Sequence, residues 1–153
     1  FTTLHTNDAP SSIARLLDLG LENFLITATL EGIVAQRLVR KICPRCKEAY
    51  EPTEEQLMEL QLTPDDLHGR PVYRGRGCDF CNNSGYKGRM AIFEMMVMDD
   101  ELRELVMQNA STQVLRAEAL KRGMRTLRQS GLLAIYDGST TIDEVVRETM
   151  TDD

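Results

Sequence analysis

Apolar and polar residues along this chain switch between a strand period and a helix period. Phe1-Thr2-Thr3-Leu4 reads as a strand that ends in the polar run His5-Thr6-Asn7-Asp8. Asp8 with Pro10 is a helix start: a carboxylate that can accept from first-turn N–H groups, then a residue whose φ is already near the helical value. Ile13, Leu16 and Leu17 recur at helical spacing, and Gly20 can supply the left-handed stop. Glu22 to Arg37 carries Phe24, Leu25, Ala28, Leu30, Ile33 and Val34 on most sides, which predicts a second helix, largely buried. Leu38 to Ile42 is a short strand leading into Cys43.

From Cys43 to Tyr86 the character changes. Pro52, Pro64 and Pro71 interrupt the chain, an acidic helix near Thr53 to Leu60 opens with a capping box from Thr53 to Gln56, and little apolar matter is present for a separate core. After Arg89 the run "MAIFEMMVM" is β-like. Four helices should follow, over Asp99 to Asn109, Ser111 to Arg122, Thr126 to Tyr136 and Thr141 to Met150, each opened by a capping residue. Gly123, Gly131 and Gly138 punctuate them. No internal repeat is evident.

Composition narrows the class. With 42% hydrophobic and 27% charged residues in 153, the chain can bury one domain core. The apolar stretch from Phe24 to Leu38 contains Glu31, Gln36 and Arg37, too polar for a membrane span, and no signal peptide precedes it. A cytoplasmic protein is expected. Phe1 is not a methionine, so the chain is also expected to be cut from a longer protein. A net charge of −6 argues against a general nucleic-acid binder. The charge is uneven: Arg70, Arg74, Arg76, Lys87 and Arg89 face only Asp79 in their stretch, whereas residues 47–69 carry seven acids.

Cys43-x-x-Cys46 and Cys78-x-x-Cys81 are separated by residues 47–77, 31 in all. Two such pairs on knuckle turns can converge four thiolates on one Zn²⁺, and a segment of about 40 residues needs a staple of that kind. A redox Cys-x-x-Cys would need one pair at a helix N-terminus in a thioredoxin-like setting, and two pairs make that less economical. Catalytic zinc is disfavoured because four cysteines leave no open coordination position. Chemistry then has to be sought elsewhere. His5-Thr6-Asn7 sits between a strand and a helix, where a sheet would place a ligand contact. Either His5 meets a phosphate or an attacking water, or it only satisfies loop backbone.

Five strings taken together carry a resemblance: "TTLHTNDAPSSIARLLDLG", "LEGIVAQRLVRKICPRCKEAY", the two cysteine pairs, "GYKGRMAIFEMM" and "GLLAIYDGSTTIDEVVRET". In this order, from Thr2 to about Thr149, the chain resembles the C-terminal part of the type II secretion and type IV pilus assembly ATPases, hexameric P-loop motors. The resemblance implies an α/β fold: residues 1–42 as the C-terminal part of a RecA-like core, 43–86 as a tetracysteine zinc insertion, and 87–153 as a strand plus a helical subdomain. It implies that His5 is the His-box histidine on the γ-phosphate side of the nucleotide, that Arg89 lies against the adenine, and that Arg37 and Arg40 make structural or intersubunit contacts. Structural Zn²⁺ would sit on Cys43, Cys46, Cys78 and Cys81, with ATP and Mg²⁺ bound in the full-length protein. The implied partners are further copies in a homo-hexamer and inner-membrane platform components, with the protein peripheral to that membrane and no nucleic acid bound. The tetracysteine motif points to assembly or secretion over retraction.

No G-x-x-x-x-G-K-[ST] occurs in the chain. The phosphate-cradling loop is absent, and this chain alone is expected to be inactive towards ATP. The rival from another class is a freestanding zinc-ribbon module that uses the basic residues around Arg70 to Arg89 to bind nucleic acid or an acidic partner. Few aromatics, 5% with no Trp, are available to such a module for base stacking.

Overall fold

Most of the helix starts form where the capping residues stand. In the computed structural model, which describes residues 1–150, Asp8 accepts from Ser11 N at 2.8 Å and caps α1 (Ala9–Asp18), which Gly20 closes at φ +93°. α3 (Glu54–Glu59) has the capping box expected of Thr53 and Gln56. Asp99, Ser111 and Thr141 cap α4 (Asp100–Met107), α5 (Thr112–Lys121) and α7 (Ile142–Thr149), with α6 (Leu127–Tyr136) between the last two. The fold is mixed α/β with two small sheets, in which β1 (Gly32–Ile42) pairs with β4 (Tyr86–Val97) and β2 (Lys47–Tyr50) with β3 (Val72–Gly75). No helix among the described residues is long and apolar enough to cross a membrane.

Three expectations are corrected. Phe1 to Leu4 is not a strand, because a strand needs a neighbour for its N–H and C=O groups and no described strand pairs with it. The helix expected over Glu22 to Arg37 stops early: α2 is Asn23–Thr29, Leu30 turns extended, and Gly32 opens β1. Ile33, Val34, Val39 and Ile42 are β-branched and favour the pleated ribbon over a helix. Nor is α2 largely buried, since only Ile26 is enclosed while Phe24 and Leu25 are exposed. Finally, Gly131 does not end a helix. It lies inside α6, where an added Cβ would stand 2.5 Å from Val145 of α7.

The described chain forms two compact units, each from separated stretches: residues 1–36 with 93–127, and 37–92 with 128–150. In the first, α1 packs on α5 and α2, and α2 on α4, burying Ile13, Ile26, Leu102, Val106, Leu115 and Ala119. The N-terminus of α1 is tied inward. Ala9 N donates to Glu94 Oε2 of β4 at 2.8 Å, and Arg116 of α5 pairs with Asp8. Asn23 Nδ2 donates to Asn109 Oδ1 at 2.9 Å, holding the start of α2 to the end of α4.

In the second unit β2 and β3 run antiparallel from Lys47↔Gly75 to Tyr50↔Val72. Leu57, Leu60, Leu67 and Val72 do not form a core of their own. They bury with Ile135, Ile142 and Val145 of α6 and α7. Beside this core stands a buried carboxylate, Glu144, whose side chain is 2% exposed. Arg40 of β1 binds it twice from the guanidinium, at 2.7 and 3.0 Å, and once from its backbone N–H at 2.8 Å, and Arg147 adds a further bond. The Arg40 guanidinium also lies 4.1 Å from the Tyr86 ring centroid, and Tyr86 Oη is 2.7 Å from Thr141 Oγ1, the cap of α7. Arg40 thus ties β1 to α7 and to Tyr86 within this unit.

Burial works against ionisation of Glu144, but the Arg40 donors and charge overcome it and hold the carboxyl below its usual range. A carboxyl with a depressed folded-state pKa contributes stability above its unfolded value, about 4.3, and loses it as pH falls through the folded-state value. Glu144→Gln is expected to cost about 2 kcal/mol near pH 7, the Arg40 side being partly solvated. Urea unfolding midpoints of wild type and variant should then draw together as pH falls below about 4 and on through the folded-state value; a gap independent of pH would contradict this account.

Candidate functional site

The two cysteine knuckles meet. Cys43 follows β1 and Cys46 precedes β2, while Cys78 and Cys81 bracket a single 3-10 turn. Their four Sγ atoms lie within 4.8 Å of one another, with Cys43–Cys78 at 3.8 Å, Cys46–Cys81 at 3.9 Å and Cys78–Cys81 at 3.7 Å. Tetrahedral zinc with Zn–S bonds of about 2.3 Å requires sulfur–sulfur edges of about 3.8 Å, so the donor set fits the ion. The sulfurs are not paired as disulfides.

Backbone N–H groups support this arrangement. Gly77 N donates to Cys46 Sγ at 3.3 Å, and Cys78 N and Gly85 N donate to Cys81 Sγ at 3.3 and 3.2 Å. Such donors orient metal ligands and stabilise thiolate charge. Their effect shows in the acidities of the thiols. Burial opposes ionisation of Cys81, yet the two N–H donors bring its pKa down to about 6. Cys46, where burial dominates over one donor, is pushed up to about 11.

The glycines were the part of this site that cysteine spacing did not announce. Gly77 and Gly85 take φ of +102° and +79°, which aims their N–H groups at sulfur, and Gly75 and Gly85 approach so closely that an added Cβ on Gly75 would stand 2.0 Å from Gly85 O. The signal available in the sequence was a glycine just before Cys78, in "GRGC", and another four residues after Cys81, in "CNNSGY".

The other two candidates fall in different units. His5 is exposed and lines an open polar cleft of about 300 Å³ with Thr6, Asn7, Ser11, Arg15 and Asp18. Arg15 was not singled out from the sequence, although it stands two turns into the helix that His5 precedes. The N–H groups opening α1 are already engaged by Asp8 and Glu94, so an anion beside His5 would have to be met by side chains. Arg89 is exposed on β4. Its basic neighbours are largely committed within the chain: Arg70 stacks on Tyr136, Arg74 on Tyr50 while pairing with Glu48, and Lys87 on Phe80. That weighs against the rival reading, which needs those cations for an external partner.

The sequence pattern of the family described as type II/IV secretion system protein matches residues 1–147. The chain belongs to that family. Within this secretion-system family it is 48% identical over 152 residues, 99% of the chain, to the type IV pilus assembly ATPase PilB of Myxococcus xanthus, and 40% identical over 148 residues, 97% of the chain, to the type II secretion system protein E of Pseudomonas aeruginosa. It is 41% identical over 150 residues, again 97% of the chain, to the type II secretion system ATPase E of Vibrio cholerae. The chain spans 27% of the first of these relatives and 29% of each of the other two.

For this family member, metal analysis of protein purified without chelators should give about one zinc per chain. Cys43→Ser should release it, and Gly85→Val, which places a side chain where Gly75 stands, should weaken it. Retention of a full complement of metal after removal of two cysteines would contradict the assignment.

Proposed function

We propose that this chain is the C-terminal part of a hexameric ATPase that powers type IV pilus assembly or type II protein secretion. The observation that carries the reading is the family match over residues 1–147, supported by relatives that are themselves named pilus assembly and secretion ATPases. Residues 1–42 complete a RecA-like core, 43–86 are a zinc-stapled insertion, and 87–153 supply a strand and a helical subdomain. ATP with Mg²⁺ is the substrate, held by a phosphate loop outside these 153 residues, since no such loop occurs within them.

Each candidate residue then has a task. His5, on its polar cleft beside Arg15, faces the γ-phosphate side and orients the terminal phosphate or the attacking water. Arg89, exposed and planar, lies against the adenine. Zinc on Cys43, Cys46, Cys78 and Cys81 supplies folding free energy and no chemistry on ATP. The protein works in the cytoplasm, peripheral to the inner membrane, against platform components of the pilus or secretion apparatus, and does not bind nucleic acid.

The test is steady-state turnover of the full-length protein. His5→Ala should lower kcat about 100-fold with KM for ATP little changed. Arg89→Ala should raise KM with kcat little changed, and residues 1–153 alone should show no turnover. Wild-type kinetics from both variants would remove His5 and Arg89 from the nucleotide site, and turnover by the isolated chain would contradict the proposed division of labour.

A further inference from the structure

A cavity of about 600 Å³ opens in the second unit where the end of β2, the start of α3 and the turns leading into β3 come together. Neither the four-sulfur cluster nor the nucleotide reading uses it, and its volume is that of a ligand pocket, roughly 300 to 1,000 Å³. The floor is apolar. Leu57 and Leu67 are buried there, backed by the core they share with α6 and α7, and half-buried Tyr50 forms a wall whose hydroxyl accepts from Gln56 Nε2 at 3.4 Å.

Pro52, Pro64 and Pro71 stand around the opening. Their fixed φ angles keep the rim in one conformation, so little has to be ordered when the cavity is filled. They also lack N–H donors, which disfavours addition of a strand at this rim and leaves recognition to side chains.

Charge stands at the lip. Glu51 and Glu54 are exposed, and neither has an ion-pair partner among the described residues. Arg70, the one cation of the lining, is held over the Tyr136 ring at 4.4 Å from its centroid. The stretch 47–69 around the cavity carries seven acids, of which Glu48 alone is in an ion pair among the described residues. An apolar hollow under an acidic lip is complementary to an apolar side chain carried next to a cation. Polar groups confined to the lip suit one anchoring side chain of a longer chain, whereas a small-molecule site sets its orienting groups inside.

We propose that this cavity docks a segment of a partner protein in which an apolar side chain stands beside lysine or arginine. The apolar side chain fills the floor over Leu57 and Leu67, and the cation meets Glu51 and Glu54. The inference does not depend on the nucleotide reading.

The experiment titrates the full-length, zinc-loaded protein into four dye-labelled short peptides that differ only at a central pair, Lys-Leu, Lys-Ser, Glu-Leu or Glu-Ser, and follows fluorescence anisotropy. The Lys-Leu peptide should bind at least about tenfold more tightly than the other three and should weaken as salt is raised. Ala49→Phe, which sets a ring into the cavity from an exposed position of β2, should lower that affinity at least about tenfold. Glu51→Lys combined with Glu54→Lys should move the preference to the Glu-Leu peptide. Zinc content equal to wild type in both variants separates loss of docking from loss of fold. Absence of binding, equal affinity for Lys-Leu and Lys-Ser, or Lys-Leu binding unchanged in both variants would overturn the proposal. Self-association of the protein that Ala49→Phe abolishes would give the cavity to a second copy of this chain and would overturn it too.

Discussion

Four sulfurs within 4.8 Å of one another, three of the pairs at 3.7 to 3.9 Å, are the constraint on which the second unit depends. As thiolates they would repel one another by about 1 kcal/mol per pair even at the dielectric of water, and by several times that where water is excluded. A divalent cation reverses the sign of that interaction. The local structure is built outward from the cluster. Arg76 N donates to Cys46 O at 3.0 Å where the β2–β3 pairing begins, and Cys43 N donates to Gly85 O at 2.9 Å just before β4. Gly75 and Gly85 are glycines because the two ends of the loop that carries Cys78 and Cys81 touch there.

A second tie holds the same unit to its helices. Ile42 N donates to Ser139 O at 2.9 Å and Thr140 Oγ1 to Arg40 O at 2.8 Å, while the Arg40 guanidinium is shared between Glu144 and the face of Tyr86. The strand that leads into Cys43 is thus fixed to the start of α7. The insertion has few apolar residues, and those it has are buried only because α6 and α7 return to cover them. The four-sulfur cluster and the returning helices answer the same shortage of core. Their joint action gives the long acidic loop between the knuckles a defined place.

Local signals survived folding well in this chain, and non-local ones did not. The capping residues Asp8, Thr53, Asp99, Ser111 and Thr141 start helices because a cap acts within its own turn. The four cysteines were legible because metal-ligand spacing is a local rule applied twice. By contrast, Glu31 to Arg37 has apolar residues on every side, a pattern equally available to a buried helix or a ribbon, and pairing with β4 decided it. Phe1 to Leu4 has strand chemistry but no described partner strand. Gly85 serves Cys81 four residues before it, whereas the partners of Gly77 and Glu144, which are Cys46 and Arg40, stand tens of positions away. His5 and Arg89 belong to the same class. The strings around them are recognisable, whereas the nucleotide contacts proposed for them are not set by their immediate neighbours.

The central claim is that the four-sulfur cluster is a staple for residues 37–92 and 128–150 and not a site of catalysis. Backbone hydrogen exchange on the full-length protein, with and without removal of zinc by a chelator, tests it most directly. The account predicts that removal strips protection from β2, β3 and the start of β4, while α1, α4 and α5 keep theirs. Unchanged protection in β2 and β3 after verified loss of the metal would contradict it.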